Sequence, residues 1–144
     1  MGEATGRVKL IEGIQMLGES GSGHTLVMDA AESVGGRNMG IRPMELLLLG
    51  LGGCTAIDVL NILRKGRHDV RDCEILLKGH RPEDQQPSVF DDITLHYVVT
   101  GKGLPEKAVA RAIKLSKESY CSASAMLEKT AKISTSFEIR DIDA

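Results

Sequence analysis

Two cysteines offer the clearest chemistry in this chain. Cys54 lies in Leu49-Gly50-Leu51-Gly52-Gly53-Cys54-Thr55-Ala56-Ile57, and Cys121 in Glu118-Ser119-Tyr120-Cys121-Ser122-Ala123-Ser124-Ala125. Two thiols in one small protein can carry out redox chemistry by closing a disulfide, provided the fold brings them together. The third, Cys73, alternates with Ile75 and Leu77 and reads as core. The cysteines form no CxxC and no ligand-spaced cluster with His24, His68, His80 or His96, so neither a metal nor another cofactor is expected. An odd cysteine count behind an N-terminus without a basic-then-apolar signal pattern argues for a cytoplasmic chain. Any disulfide in it would then be transient and catalytic, not a structural framework.

Local surroundings rank the two thiols. Cys121 precedes a helix start, where free N–H groups and the positive end of the dipole would favour a thiolate. The alternative is a small buried residue at a helix junction. Cys54 sits mid-helix among glycines and leucines, where burial would raise its pKa, and Asp58 four residues on adds an unfavourable charge. On local features Cys54 reads as structural unless an arginine reaches it.

Two further patterns lead nowhere. Gly18-Glu19-Ser20-Gly21-Ser22-Gly23-His24-Thr25 has the outline of a phosphate-binding loop, but His24 replaces the lysine and a strand pattern follows it. It reads as a hairpin turn. His68 and Asp69 are adjacent, but no serine elbow accompanies them.

The elements that must position the thiols can be read in outline. The chain has 144 residues, 42% hydrophobic and 26% charged, with net charge −2, which fits a single domain over 1–144. With two Phe, two Tyr, no Trp and no basic patch, it lacks the surface for nucleic acid. An interrupted strand is expected over 7–17, a turn over 18–23, and a second strand over 24–30. Residues 31–42 read as loop, with room for a short third strand. A long helix should begin at Pro43 and run to Lys65, stopped by Gly66. Its uncharged run, Leu46 to Ile57, is 12 residues, short of the roughly 20 needed to cross a bilayer, so a buried helix and no membrane partner are expected. Gly50, Gly52 and Gly53 each cost about 1 kcal/mol inside a helix, which suggests a close neighbour there. Strands follow over 69–80 and 89–100, then a helix from Pro105. A short helix over 122–130 follows, capped by Ser122, and a last strand carries Ile133, Thr135, Phe137 and Ile139. The order is α+β. So apolar a helix needs more cover than these elements give. An intertwined homodimer would supply it; a monomer whose own sheet wraps the helix is the alternative.

Pro43-Met44-Glu45, followed by the apolar run into Gly52-Gly53-Cys54, resembles the first cysteine motif of the OsmC/Ohr superfamily, the osmotically inducible and organic hydroperoxide resistance proteins. Tyr120-Cys121-Ser122 resembles the second, with the thiols 67 positions apart. The resemblance covers nearly the whole chain and extends to the YhfA-like branch, which carries Met-Glu after the proline. It implies an α+β intertwined homodimer with antiparallel sheets around a long buried central helix. It also implies thiol-dependent reduction of organic hydroperoxides, with Cys54 peroxidatic, Cys121 resolving and a dithiol as reductant. That reverses the local ranking.

Peroxidase members hold the thiolate with an arginine from the early strands and a glutamate directly after the proline. Here Met44 takes that position and Glu45 follows. The nine steps from Glu45 to Cys54 amount to about 900° on an ideal helix, half a turn out of line. Arg42 and Arg37 are the candidate cations, with Arg7 also nearby. These departures leave a second reading, a non-catalytic stress-response protein that holds a small apolar ligand on the same scaffold. A third is a structural dimer whose cysteines only fill core.

Overall fold

The computed structural model describes residues 2–142. Met1, Asp143 and Ala144, the ends of the expected domain, lie outside the described residues. The described chain comprises two compact units that divide between Leu47 and Leu48.

In the first unit, β1 (Gly6–Glu12), β2 (Gln15–Ser20) and β3 (Thr25–Met28) form an antiparallel meander. The interrupted strand expected over 7–17 is in fact a hairpin. Gly13 turns the chain at φ 62°, a conformation glycine adopts without strain, and the register slips between Leu10 and Glu12. Gly18 thus falls inside β2, and only Gly21-Ser22-Gly23 remains as a turn, followed by a strand as a hairpin requires. Beyond β3 the buried Asp29 carboxylate accepts N–H bonds from Ala30 (2.8 Å), Arg37 (3.2 Å) and Met39 (3.1 Å). Burial opposes its ionisation, but these bonds and the Arg37 charge hold its pKa below the ordinary carboxylate value. The short third strand suspected in this loop reduces to one parallel bridge, Met28 to Ile41.

α1 spans Pro43–Lys65, the limits the proline and glycine signals predict. Arg42 is its N-cap. Glu45, at the third helical position, accepts the Arg42 N–H at 2.8 Å, which is half of a capping box.

In the second unit, β4 (Asp69–His80), β5 (Asp92–Lys102) and β6 (Lys132–Asp141) form a sheet in that order. β4 and β5 are antiparallel, but β5 and β6 are parallel, so the expectation of antiparallel sheets fails here. The reason is the connection: α2 (Glu106–Leu115), a π-helical turn (Ser116–Tyr120) and α3 (Ser122–Leu127) intervene, and parallel neighbours need such a crossover. β5, central in the sheet, buries Ile93, Leu95, Tyr97, Val98 and Val99.

α1 is not buried on most faces. Leu51, Thr55, Val59 and Leu63, spaced four apart, are buried with Gly52, while Leu47, Leu49 and Ile57 remain 46%, 51% and 61% exposed. One sheet covers only one stripe of a helix. Gly52 does have a close neighbour, since a Cβ there would stand 2.8 Å from Leu77 Cδ1 on β4. Gly50 and Gly53 face open space among the described residues. The helix is also longer and more apolar than its uncharged run implies: 23 residues, with mean hydropathy 2.0 over its best 18, enough by length and composition alone to cross a bilayer.

Candidate active site

The second unit brings Cys54 and Cys121 together. Cys54 is half-buried on α1, and Cys121 is buried at the start of α3. Their Sγ atoms and a carboxylate oxygen of Asp58 all lie within 4.8 Å of one another. Asp58 is one helical turn beyond Cys54, so both face the same side of α1.

Cys121 itself, and not Ser122, is the N-cap of α3. Its backbone is extended (φ −80°, ψ 102°), and its Sγ accepts the Ser124 N–H at 3.3 Å. The π-helical turn ends just before it and is closed by the Cys121 N–H donating to Ser116 O at 2.7 Å. The expected thiolate-favouring helix end is outweighed. Burial pushes the Cys121 thiol above its ordinary pKa, the neighbouring Cys54 thiol adds to this, and Ser124 opposes it. α3 has only six residues, so its dipole is small. Cys121 is therefore the enclosed thiol of the pair, its ionisation opposed by burial, and Cys54 the more open one. Cys73, half-buried in β4, is likewise raised by burial and then by Asp72.

A chain of hydroxyls ends at Asp58. Tyr97 Oη and Thr55 Oγ1 are 2.8 Å apart, and Thr55 Oγ1 and Ser116 Oγ 2.7 Å. Ser116 Oγ donates to Asp58 Oδ2 at 2.9 Å. Each hydroxyl carries one proton. Ser116 gives its proton to the carboxylate, so it accepts from Thr55, and Thr55 accepts from Tyr97. Thr55, Ser116 and Tyr97 are fully buried. The chain has one sense, and it fixes the carboxylate beside the thiols.

The other site residues predicted from sequence lie in the first unit. The Arg37 guanidinium donates to Gln15 Oε1 at 3.0 Å and pairs with Glu12 at 3.4 Å. Arg42 Nη1 donates to Gly40 O at 3.2 Å, Arg7 pairs with Glu19 at 3.2 Å, and Glu45 caps α1. Within the second unit, sequence reasoning missed two features. One is the hydroxyl chain, whose members lie 42 and 61 positions from Thr55 and leave no local signal. The other is an open groove of about 620 Å³ bordered by Asp58, Asn61, Lys65, Arg111 and Tyr120, which sets Arg111 and Lys65 along the same groove as Asp58.

The family model for OsmC-like protein matches residues 35–136. The chain belongs to the OsmC-like family, an α+β fold built on two three-stranded sheets and a long central helix. Within it, protein YhfA of Escherichia coli K12 is 49% identical over 133 residues, covering 92% of this chain and 96% of YhfA, which supports the YhfA-like branch. A crystal structure of a hypothetical protein from Aquifex aeolicus is 34% identical, with TM-score 0.84 over 97% of this chain and 98% of that one. The organic hydroperoxide resistance protein OhrB of Bacillus subtilis shares the fold, with TM-score 0.64 at 16% identity over 94% of this chain and 98% of OhrB. α1 is thus the central helix of a soluble fold.

Proposed function

We propose that this protein is a cytoplasmic thiol-dependent peroxidase acting on organic hydroperoxides. The observation that carries the reading is the approach of Cys54 Sγ and Cys121 Sγ to within 4.8 Å inside one chain. A disulfide of about 2.05 Å requires modest movement from there. The Cys54 thiolate attacks the peroxide O–O bond, and with one proton the products are Cys54 sulfenic acid and an alcohol. The Cys121 thiol condenses with the sulfenic acid, forming the disulfide and releasing water. A dithiol reductant then returns both thiols by exchange. The half-buried Cys54 suits attack and the enclosed Cys121 suits resolution. Arg42 or Arg37 is the activating cation in this reading, with Glu45 as its carboxylate partner.

The working unit is a homodimer. In the single chain, β1 exposes Val8, Leu10 and Ile11, and α1 exposes Leu49 and Ile57. Gly50 and Gly53 leave the helix backbone open to close approach. A second copy would cover such surfaces.

Peroxide consumption with a dithiol donor tests the activity. Cys54→Ser should reduce it to the free-thiol background, and Cys121→Ser should leave a trappable sulfenic acid on Cys54. Unchanged consumption in Cys54→Ser refutes the reading. A second reading, a binding protein for a small apolar ligand, draws on the capping role of Glu45 and the Gln15 and Glu12 contacts of Arg37. It predicts turnover no faster than free thiol together with saturable binding of an apolar probe.

A further inference from the structure

Cys54 and Asp58 stand one turn apart on α1, and Cys121 meets them from the start of α3. We infer that the reduced site binds zinc(II), with Cys54 Sγ, Cys121 Sγ and the Asp58 carboxylate as its three protein ligands. The proposal stands independently of the peroxidase reading.

The donor set selects the ion. Two thiolates and a carboxylate suit a borderline-soft cation such as zinc, whereas magnesium, calcium and manganese prefer all-oxygen sets. Residues four apart on a helix present two ligands to one ion. In a tetrahedral zinc centre, with bonds of about 2.3 Å to sulfur and 2.0–2.2 Å to oxygen, neighbouring ligand atoms stand roughly 3.5 Å apart. The three atoms here, within 4.8 Å, need to close by on the order of 1 Å. The fourth position falls to water.

Two outer contacts fit such a centre. The Asp58 carboxylate is already oriented by Ser116, at the end of the hydroxyl chain, as ligating carboxylates commonly are. Ser124 Oγ, three residues beyond Cys121 in the first turn of α3, is buried without a hydrogen-bond partner among the described residues. A metal-bound thiolate at Cys121 gives that hydroxyl an acceptor. Each thiol releases its proton to solvent as zinc binds. No electrons move, and the centre, with three anionic ligands around a 2+ ion, carries net charge −1. Bound zinc occupies both sulfurs and so holds the pair out of disulfide chemistry until it is removed.

The test is titration of the reduced, chelator-stripped full-length protein with Zn2+ alone, in competition with a chromogenic chelator and without peroxide. The expected result is one zinc per chain, with binding lost in Cys54→Ser and Cys121→Ser. Asp58→Asn, which keeps a carbonyl oxygen for Ser116, should weaken binding at least about 10-fold. Cobalt(II) should give a thiolate-to-metal charge-transfer band that disappears in either serine variant, and zinc should slow alkylation of both wild-type thiols. Circular dichroism without metal checks that each variant folds. Should Asp58→Asn misfold, the serine variants and the cobalt band decide. Undiminished zinc binding in Cys54→Ser or in a folded Asp58→Asn, or no cobalt band in wild type, overturns the site. Zinc binding without peroxide turnover upholds it while removing the peroxidase reading; turnover without zinc binding does the reverse.

Discussion

Replacing Thr55 with valine removes one buried hydroxyl and keeps the shape of the side chain. That hydroxyl accepts from Tyr97 at 2.8 Å and donates to Ser116 at 2.7 Å, and Thr55 is fully buried. Ser116 keeps its bond to Asp58 and loses a donor, costing about 1 kcal/mol. The Tyr97 hydroxyl is left buried without an acceptor, costing about 1–3 kcal/mol more. Thr55→Val should therefore lose about 3 kcal/mol. Tyr97→Phe leaves Thr55 still donating to Ser116 and should lose about 1 kcal/mol. The double variant has no stranded tyrosine hydroxyl and should lose only about 1–2 kcal/mol, a coupling of about 2 kcal/mol in the double-mutant cycle. Urea unfolding at one fixed protein concentration measures all three. For a chain of this size Thr55→Val should lower Tm by roughly 10 °C. A loss under about 1 kcal/mol for Thr55→Val, or strict additivity in the double variant, would refute the directed hydroxyl chain.

Ile57 is 61% exposed on α1, so Ile57→Glu should leave the fold of each chain intact. In the proposed dimer it buries an unpaired charge and should weaken association at least about 100-fold, read by light scattering across a dilution series. Burial raises Cys121 and Cys73 above the ordinary thiol pKa in the folded state, with Cys54 and Asp72 respectively as added causes. The folded chain thus keeps protons that the unfolded chain releases. That stability is fully present below the ordinary value of about 8.5 and is lost as pH rises through the folded values. Tm in reductant should fall above about pH 8.5, and less steeply in Cys121→Ser. At Gly101 a Cβ would collide with the Asp69 carbonyl oxygen and the Leu104 side chain, so Gly101→Ala should cost about 2–3 kcal/mol by denaturant unfolding.

The limits of α1 were legible in sequence because they depend on neighbours along the chain. Pro43 opens the helix and Gly66 follows its end at Lys65. The first hairpin was missed because Gly13 serves equally as a strand irregularity or a turn, and only its φ of 62° distinguishes them. Ser122 is a better cap than cysteine by type, yet the bend after Tyr120 gives the cap to Cys121.

Sequence by itself determined the α+β order, the long apolar helix, and the two cysteine motifs through which the chain resembles its family. Periodicity and caps act over a few residues, and motifs are strings, so both survive without a fold. Tertiary structure alone decided that β5 and β6 run parallel and that only one stripe of α1 is covered by its own chain. It also gave Asp58 a second role beside its charge. In sequence this was an unfavourable charge four residues from Cys54; in the fold it ends a buried hydroxyl chain and joins both thiols in one cluster. The partners that make the difference lie 58 positions away at Ser116 and further still at Cys121. Contacts across that separation exist only once the helices and sheet have packed.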